Sequence, residues 1–253
     1  TLPKVTHVDQ VKATVRMLEL LEARHELAEG ALQLELMIEV TQTLFDREGR
    51  FYIPILHEAC RGRCFAAHFG TYDYTASCNI TASHQAMDHG NCDFARNLMT
   101  IGFGGTGVFL SDGATNVMPV GPHKATPEAP LTDEQVAENH DVVHRAWKLA
   151  FDHTQHSLRH GIYQGWDLHP AQLVVRYAAC YAFFLEGFGP AAKRLQNFVS
   201  KAAQATLVGD VFDDAATGQG LLNYFLRALN CGAVAMEEGG GTMEEGVAPL
   251  KEG

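Results

Sequence analysis

The chain has 253 residues, of which 46% are hydrophobic, 19% charged and 9% aromatic, as in a folded globular protein and unlike a disordered or fibrous one. Its 30 acidic residues outnumber 19 basic residues, so the formal net charge is −11. This balance argues against binding to nucleic acid or to an anionic membrane surface, because both require a basic face. A small set of basic residues can still bind one anionic metabolite.

Cysteine usage and hydropathy indicate the compartment. No apolar run approaches the roughly 18 residues of a membrane span. The six cysteines form no CxxC pair, and in a chain of this length they are typical of reduced thiols. We therefore expect a cytoplasmic protein. The chain opens inside an apparent strand, with no preceding turn or cap, so we also expect the natural protein to be longer.

Taken in chain order, the pattern alternates strands and helices. Apolar strands are predicted at about 1–5, 32–40, 64–69, 108–110 and 162–168. Helices are predicted at about 9–25, 52–61, 94–101, 132–161, 170–185, 190–207 and 214–230. The alternation predicts βα units around a parallel sheet. Five strands fit either an open doubly wound sheet or the later part of a barrel that lacks its opening strands.

Two acidic residues follow neighbouring predicted strands. Glu39 closes an apolar strand, and Asp73 lies just past the next one, after Gly70. Taken singly, Glu39 fits a salt bridge and Asp73 a turn with an Asx hydrogen bond. Taken together, they are expected to converge, because consecutive parallel strands are usually neighbours. Two carboxylates with room for water suit a hard cation such as Mg²⁺.

Several histidines draw attention without defining a site. His169 ends the last predicted strand before Pro170, where it either touches substrate or fixes the loop by hydrogen bonds, and the second role is favoured. His140 and His144 are spaced i, i+4 on a predicted helix, a spacing that can bind zinc. Their segment has no HExxH glutamate and no cysteine, so a solvated or interhelical role is favoured. His153, His156 and His160 follow on the same helix.

Four short motifs together resemble a known superfamily. They are Leu2-Pro3-Lys4-Val5, Met37-Ile38-Glu39, Gly70-Thr71-Tyr72-Asp73 and His169-Pro170-Ala171-Gln172. In this order they resemble the citrate lyase β-subunit, malyl-CoA lyase and 2-oxo-acid aldolase superfamily, over roughly residues 1–215. The match looks closest to an uncharacterised, aldolase-like branch.

The resemblance implies an α/β fold, a TIM (β/α)₈ barrel of the phosphoenolpyruvate/pyruvate type. Residues 1–185 would be strands four to eight of that barrel, 186–235 a C-terminal helical extension and 236–253 a flexible Gly/Glu-rich tail. Leu2-Pro3-Lys4-Val5 would be strand four. The first three strands, and the family's substrate-binding arginine on strand three, would then lie upstream.

The resemblance also implies a site. Glu39 and Asp73 would bind Mg²⁺, or Mn²⁺ in its place. Backbone amides of Gly70, Thr71 and Tyr72 would hold a substrate carboxylate.

The remaining catalytic candidates are fewer and less specific. An acidic residue of the C-terminal extension, Asp213 or Asp214 with Asp210 as a further candidate, would assist catalysis in a homo-oligomer. His169 is the remaining catalytic candidate.

The expected function is a Mg²⁺-dependent carbon–carbon lyase acting on a 2-oxo or 2-hydroxy acid, or its CoA thioester. A metal-stabilised enolate would carry the reaction, because a bound cation neutralises developing negative charge. A thioester hydrolase on the same scaffold also fits. The alternative is a non-catalytic metabolite-binding or scaffold protein, which the absent arginine strand and the unusual Tyr72 and Tyr74 beside Asp73 favour.

Overall fold

The computed structural model describes residues 1–200, 206–208, 211–213 and 215–235. The chain divides into two compact units, Thr1–Leu173 and Val174–Gly253. None of the helices in the described ranges combines the length and the apolar character needed to cross a bilayer.

The first unit is built on a parallel sheet whose strand order follows the chain order. Its four strands are β1 (Leu34–Ile38), β2 (Cys64–Phe69), β3 (Phe109–Asp112) and β4 (Gln164–Gly165). Leu2 adds an isolated parallel bridge to Leu36 of β1. Sequential parallel neighbours are the arrangement of an arc of a βα barrel. The described strands do not close into a full barrel.

The described residues form eight α-helices. They are α1 (Val8–Arg24), α2 (Thr41–Leu44), α3 (Ile53–Ala59), α4 (Thr71–Ser77), α5 (Gly90–Gly102), α6 (Asp133–Arg159), α7 (Pro170–Ser200) and α8 (Ala215–Asn230). A capping box stands at the start of α6. The Thr132 side chain accepts from the Gln135 N–H, and the Gln135 side chain accepts from the Thr132 N–H. Reciprocal bonds of this kind satisfy amides that the first helical turn leaves unpaired.

The core of the first unit lies between the sheet and the helices. Leu34, Leu36 and Ile38 of β1 are buried, and the two residues between them are only partly buried, as expected for a strand with alternating faces. Helices α1, α3 and α5 contribute buried side chains that include Val15, Leu56 and Met99. Burial of this face leaves the polar residues at the strand ends to form the candidate site.

The first predicted strand is much shorter than expected. Within the predicted strand 1–5, Leu2 alone pairs with the sheet. Pro3 has no N–H to donate to a ladder, and Lys4 adopts a positive φ of 51°, which ends extended structure. The chain therefore turns at Lys4, directly beside the end of β1.

The second unit departs from the prediction at its helices. Local stop signals predict a break near Pro190, whereas α7 continues from Pro170 to Ser200 with Pro190 inside it. Phe188 and Leu195, on either side of the proline, both belong to an apolar cluster with Phe225 of α8, and this packing favours a continuous helix. The predicted helix to residue 207 is wrong at its end. Residues 206–208 form β5 (Thr206–Val208), antiparallel to β6 (Val211–Asp213).

Candidate functional site

Glu39 is a buried carboxylate at the C-terminal end of β1. Its side chain is only 2% exposed. Oε1 accepts a hydrogen bond of 2.7 Å from the Lys4 N–H, and Oε2 lies 3.3 Å from Lys4 Nζ. A buried carboxylate requires such partners because desolvation of an unpaired charge is costly. The turn at Lys4 therefore fixes both oxygens of Glu39.

Asp73 stands opposite, in the first turn of α4, just past the end of β2. Its Oδ1 lies 2.5 Å from Lys4 Nζ, so one ammonium group contacts both Asp73 and Glu39. The hydrogen bond from Lys4 holds the pKa of Asp73 below its usual value, and the same bond raises the pKa of Lys4. The structure thus brings the two predicted acidic residues together around a cation.

Gly70 allows this close approach. A Cβ at position 70 would lie 2.5 Å from Glu39 Cβ and 3.1 Å from Glu39 Oε2, so a larger residue would displace the carboxylate. The N–H of Gly70 donates to the Ile38 carbonyl at 2.9 Å, which continues the pairing of β2 with β1. This amide is therefore engaged within the sheet.

Thr71 and Tyr72 begin α4, and their side chains make internal contacts. Thr71 is buried, with its hydroxyl against the sulfur of Met87. The Tyr72 hydroxyl donates to the Ala114 carbonyl at 2.9 Å and accepts from the Asn116 N–H at 3.0 Å, and burial raises its pKa. No side chain among the described residues caps α4. The backbone amides of its first turn are therefore the groups that can receive an anion.

His169 caps the start of α7. Its Nδ1 accepts from the Ala171 N–H at 3.1 Å. The neighbouring Gln172, 1% exposed, accepts from the N–H groups of Leu168 and His169 and donates to the Thr115 carbonyl at 2.9 Å. Within the described residues, no hydrogen bond joins His169 to either acidic residue of the site. Its observed contacts are those of a loop-fixing residue.

The C-terminal aspartates fall at the edge of what the structure describes. Asp213 is the last residue of β6, and its Cα pairs in register with Thr206. Asp210 and Asp214 lie outside the described residues. Their place relative to substrate stays a prediction.

Lys4 is the site residue that the sequence pattern did not single out. Its motif predicted a strand, in which a lysine side chain carries no special meaning. The positive φ turns the backbone N–H of Lys4 toward Glu39, and the long side chain then reaches Asp73. The sequence offered one signal for the role of Lys4. It is a lysine directly after a proline, and it lies upstream of the two acidic residues that follow strands.

A second polar cluster lies at the end of β3. Asp112 is fully buried, and both of its oxygens lie 2.9 Å from Arg96 Nε. Ser157 donates to the same carboxylate at 2.5 Å, and the Gly113 N–H donates at 2.8 Å. The Gly113 contact joins the Asp112 carboxylate to the backbone of the next residue, as in a turn. The ion pair with Arg96 adds a structural link from α5 to the sheet.

His68 is a buried polar residue within the sheet. It is buried on β2, where Nδ1 lies 3.1 Å from the Ser111 hydroxyl and the ring stacks on Trp166 at 3.7 Å between centroids. Burial lowers the pKa of His68 to about 4, so the ring is neutral at pH 7. The stacked imidazole of His68 therefore places a polar but uncharged group in the sheet.

Comparison with known proteins gives a family and a fold. The sequence model of a family described as a domain of unknown function, DUF6986, matches residues 1–248. None of the curated protein sequences matches the chain.

Crystal structures with a similar fold include two proteins named for citrate lyase. A citrate lyase from Burkholderia xenovorans LB400 has a TM-score of 0.64 at 18% identity, over 92% of this chain and 64% of that one. CitE from Mycobacterium tuberculosis, in complex with magnesium, acetoacetate and coenzyme A, has a TM-score of 0.55 at 13% identity, over 90% of this chain and 67% of that one. The chain therefore spans under two thirds of the length of the first of these proteins. Its α/β fold is citrate lyase-like, as the sequence resemblance predicted, and the aldolase-like branch stays a prediction.

Proposed function

The chain belongs to the DUF6986 family, and we propose that it is a Mg²⁺-dependent carbon–carbon lyase. Its substrate would be a 2-oxo or 2-hydroxy acid or the corresponding CoA thioester. The observation that carries the proposal is the convergence of Glu39 and Asp73 on one ammonium group at the ends of neighbouring strands. The citrate lyase-like fold supports the same reaction class.

The donor set fits a hard divalent cation. Two carboxylates from adjacent strand ends supply oxygen ligands, and Mg²⁺ typically takes one or two carboxylates while keeping several waters. The space between them already accommodates a positive group, the Lys4 ammonium. Bound there, Mg²⁺ would polarise a substrate oxygen and stabilise negative charge beside it. Glu39 and Asp73 are the residues that would hold the metal.

The two carboxylates differ in freedom. Glu39 is fixed by the Lys4 N–H and by the close approach of Gly70, so its position is set before any ligand arrives. Asp73 is 57% exposed and free to adjust. The fixed position of Glu39 limits the reorganisation needed during reaction, whereas Asp73 can move to admit a ligand.

Lys4 supplies the positive charge of the proposed mechanism. Its side chain is 53% exposed on a flexible stem, so its ammonium can leave the two carboxylates and pair with an anionic substrate. The amides of Thr71 and Tyr72 at the start of α4 would bind the substrate carboxylate. The Gly70 amide, which donates to Ile38, would only shape the turn.

The remaining parts of the proposal come from the family resemblance. The described sheet would be one arc of a (β/α)₈ barrel over 1–185, followed by a helical extension over 186–235 and a tail over 236–253. Asp213 or Asp214 of that extension would act as the acidic catalytic residue. His169 would position the loop that begins α7, in accord with its contacts to Ala171.

The direct test combines metal binding with product detection. Isothermal titration calorimetry measures the Mg²⁺ affinity of the wild-type chain and of the variants Glu39→Gln and Asp73→Asn. Asp9→Asn is the matched control, because Asp9 is another exposed first-turn aspartate with a lysine 3.5 Å away, Lys12. Mass spectrometry then follows a panel of 2-oxo acids and CoA thioesters with and without EDTA. Unchanged Mg²⁺ binding in both site variants refutes the ligand assignment.

A second candidate, a metabolite-binding protein without catalysis, is favoured by the same lysine. The Lys4 ammonium between them already compensates one of the two negative charges of Glu39 and Asp73, so it reduces their mutual repulsion without a metal. The panel separates the two functions. Ligand binding without product, at saturating Mg²⁺, supports the second.

A further inference from the structure

We infer that Asp93, His156 and His160 form a second metal site, suited to Zn²⁺ or a similar transition-metal ion. Among the described residues, these are the one group of three potential ligands whose donor atoms lie within 4.8 Å of one another. None of them takes part in the proposed lyase site. The inference is therefore independent of the proposed function.

The three side chains come from two helices. His156 and His160 are one turn apart near the end of α6, with ring centroids 4.4 Å apart. Asp93 lies across from them in the first turn of α5. Its Oδ1 is 2.7 Å from His156 Nε2 and 4.0 Å from His160 Nε2. When ligand atoms surround one metal ion at metal–ligand distances of about 2.0–2.2 Å, the distances between the ligand atoms are in the same range as the two measured here.

The hydrogen bonds around the cluster orient its donor atoms. His160 Nδ1 lies 2.9 Å from the His156 carbonyl. A carbonyl oxygen only accepts, so Nδ1 carries the proton and Nε2 of the neutral ring keeps a free lone pair on the side of Asp93. Metal-binding histidines are commonly fixed in this way by a bond from the other ring nitrogen. His160 is therefore prepared to bind a metal.

Arg96 orients the carboxylate of Asp93 without neutralising its charge. Its Nη1 lies 2.8 Å from Asp93 Oδ1, and its Nε contacts the buried Asp112. Because Asp112 compensates the guanidinium charge, the negative charge of Asp93 remains available to a cation. The arginine then acts as the outer partner that fixes a ligating carboxylate.

The donor chemistry selects the kind of metal. Two imidazoles and one carboxylate favour Zn²⁺, Co²⁺ or Ni²⁺ over Mg²⁺, which prefers oxygen donors alone. Three protein ligands leave a fourth position for water or another ligand. The side chains are 26–32% exposed, so an ion can enter from solvent. A pocket of about 280 Å³ lined by His156, Asp88 and Arg159 lies beside them.

The same helix provides an internal control. His140 and His144 are also spaced i, i+4, with ring centroids 6.0 Å apart, but they belong to no group of three ligands in the described residues. If spacing alone binds metal, both pairs will contribute equally. If the carboxylate completes the site, only the second pair will matter.

The experiment uses the full chain after removal of bound metal. Titration with Co²⁺, followed by the visible absorption of histidine-bound Co²⁺, is run in excess Mg²⁺ to fill oxygen sites, and Zn²⁺ then competes for the same signal. We expect one Co²⁺ to bind tightly to the wild type and to the double variant His140→Ala/His144→Ala. We expect affinity to fall at least tenfold in His156→Ala/His160→Ala and in Asp93→Asn.

Two results overturn the inference. One is a wild type that gives no such absorption at micromolar Co²⁺, since Asp93 and His156 then form only a hydrogen bond between helices. The other is an equal loss of affinity in the two histidine double variants. Circular dichroism verifies the fold of each variant. If a double variant fails to fold, His160→Gln removes one partly exposed ligand alone, and it too should weaken Co²⁺ binding at least tenfold.

Discussion

Lys4 competes with metal for the two carboxylates of the site, so its removal should strengthen Mg²⁺ binding. Lys4→Met keeps the length of the stem and the backbone strain at this position but deletes the ammonium. In the wild type a divalent ion must displace Nζ from Asp73 Oδ1, 2.5 Å away, and from Glu39 Oε2, 3.3 Å away. In the variant both carboxylates face the ion without a competitor.

The size of the effect follows from the exposure of the pair. Unit charges about 4 Å apart interact by about 1 kcal/mol in water and about 4 kcal/mol at an intermediate effective dielectric constant. The Lys4 side chain is 53% exposed, so the lower figure applies, and exposed pairs are often weaker still. A difference of about 1 kcal/mol corresponds to a Mg²⁺ affinity about fivefold higher in Lys4→Met.

The assay is isothermal titration of Mg²⁺ at low ionic strength, where screening is small. Lys12→Met is the matched control, because Lys12 contacts the exposed Asp9 at 3.5 Å, away from the site. It should leave Mg²⁺ affinity unchanged. A Lys4→Met variant that binds Mg²⁺ no better than wild type, or more weakly, refutes the reasoning. Turnover by that variant should fall, since the proposed charge partner of the substrate is lost.

Three further predictions concern the surroundings of the site. Gly70→Ala should displace Glu39, because the new Cβ would lie 2.5 Å from Glu39 Cβ. We expect it to lower the unfolding free energy in urea by about 1–3 kcal/mol and to weaken Mg²⁺ binding. An unchanged Mg²⁺ affinity would contradict the close approach. The pKa of His68, lowered by burial to about 4, makes the unfolded chain bind more protons between pH 4 and about 6.5, so stability should fall on acidification through that window. His68→Asn should flatten this dependence in urea unfolding, and an equal slope would count against a buried neutral ring. Arg96→Leu should cost about 3–5 kcal/mol of unfolding free energy in thermal and urea unfolding, because it leaves the buried carboxylate of Asp112 without its counter-charge. A loss below about 1 kcal/mol would mean that the pair is solvated.

Local pattern was sufficient for most elements of the first unit. The apolar run at 64–69 predicted the observed bounds of β2, and the helix predicted at about 132–161 corresponds to α6. The meeting of Glu39 and Asp73 was also predictable, because neighbouring parallel strands end at one edge of the sheet. The predicted ends of the next two strands, at 110 and 168, differ from the observed ends of β3 at Asp112 and of β4 at Gly165.

Backbone geometry and long-range contacts were not predictable in this way. The positive φ of Lys4 and the reach of its side chain depend on the folded turn. The histidine spacing drew attention to His140 and His144, whereas the pair that meets a carboxylate is His156 and His160. That carboxylate lies over 60 residues away in sequence from His156, so no local window contains the cluster.

Packing overrode a local signal in the second unit. Gly187, Gly189 and Pro190 together favour a helix end. The chain nevertheless stays helical to Ser200, since residues on both sides of the proline pack in one apolar cluster. The burial of a continuous apolar helix face therefore outweighs a helix-breaking propensity of a few kcal/mol.

Anomalous scattering from Mn²⁺ in crystals of the full chain tests the central claim most directly. We expect a difference peak within about 2.3 Å of oxygens of both Glu39 and Asp73, with the Lys4 ammonium displaced from between them. A peak only at Asp93 and His156, or no peak at millimolar Mn²⁺ while Lys4 still joins the two carboxylates, would contradict it.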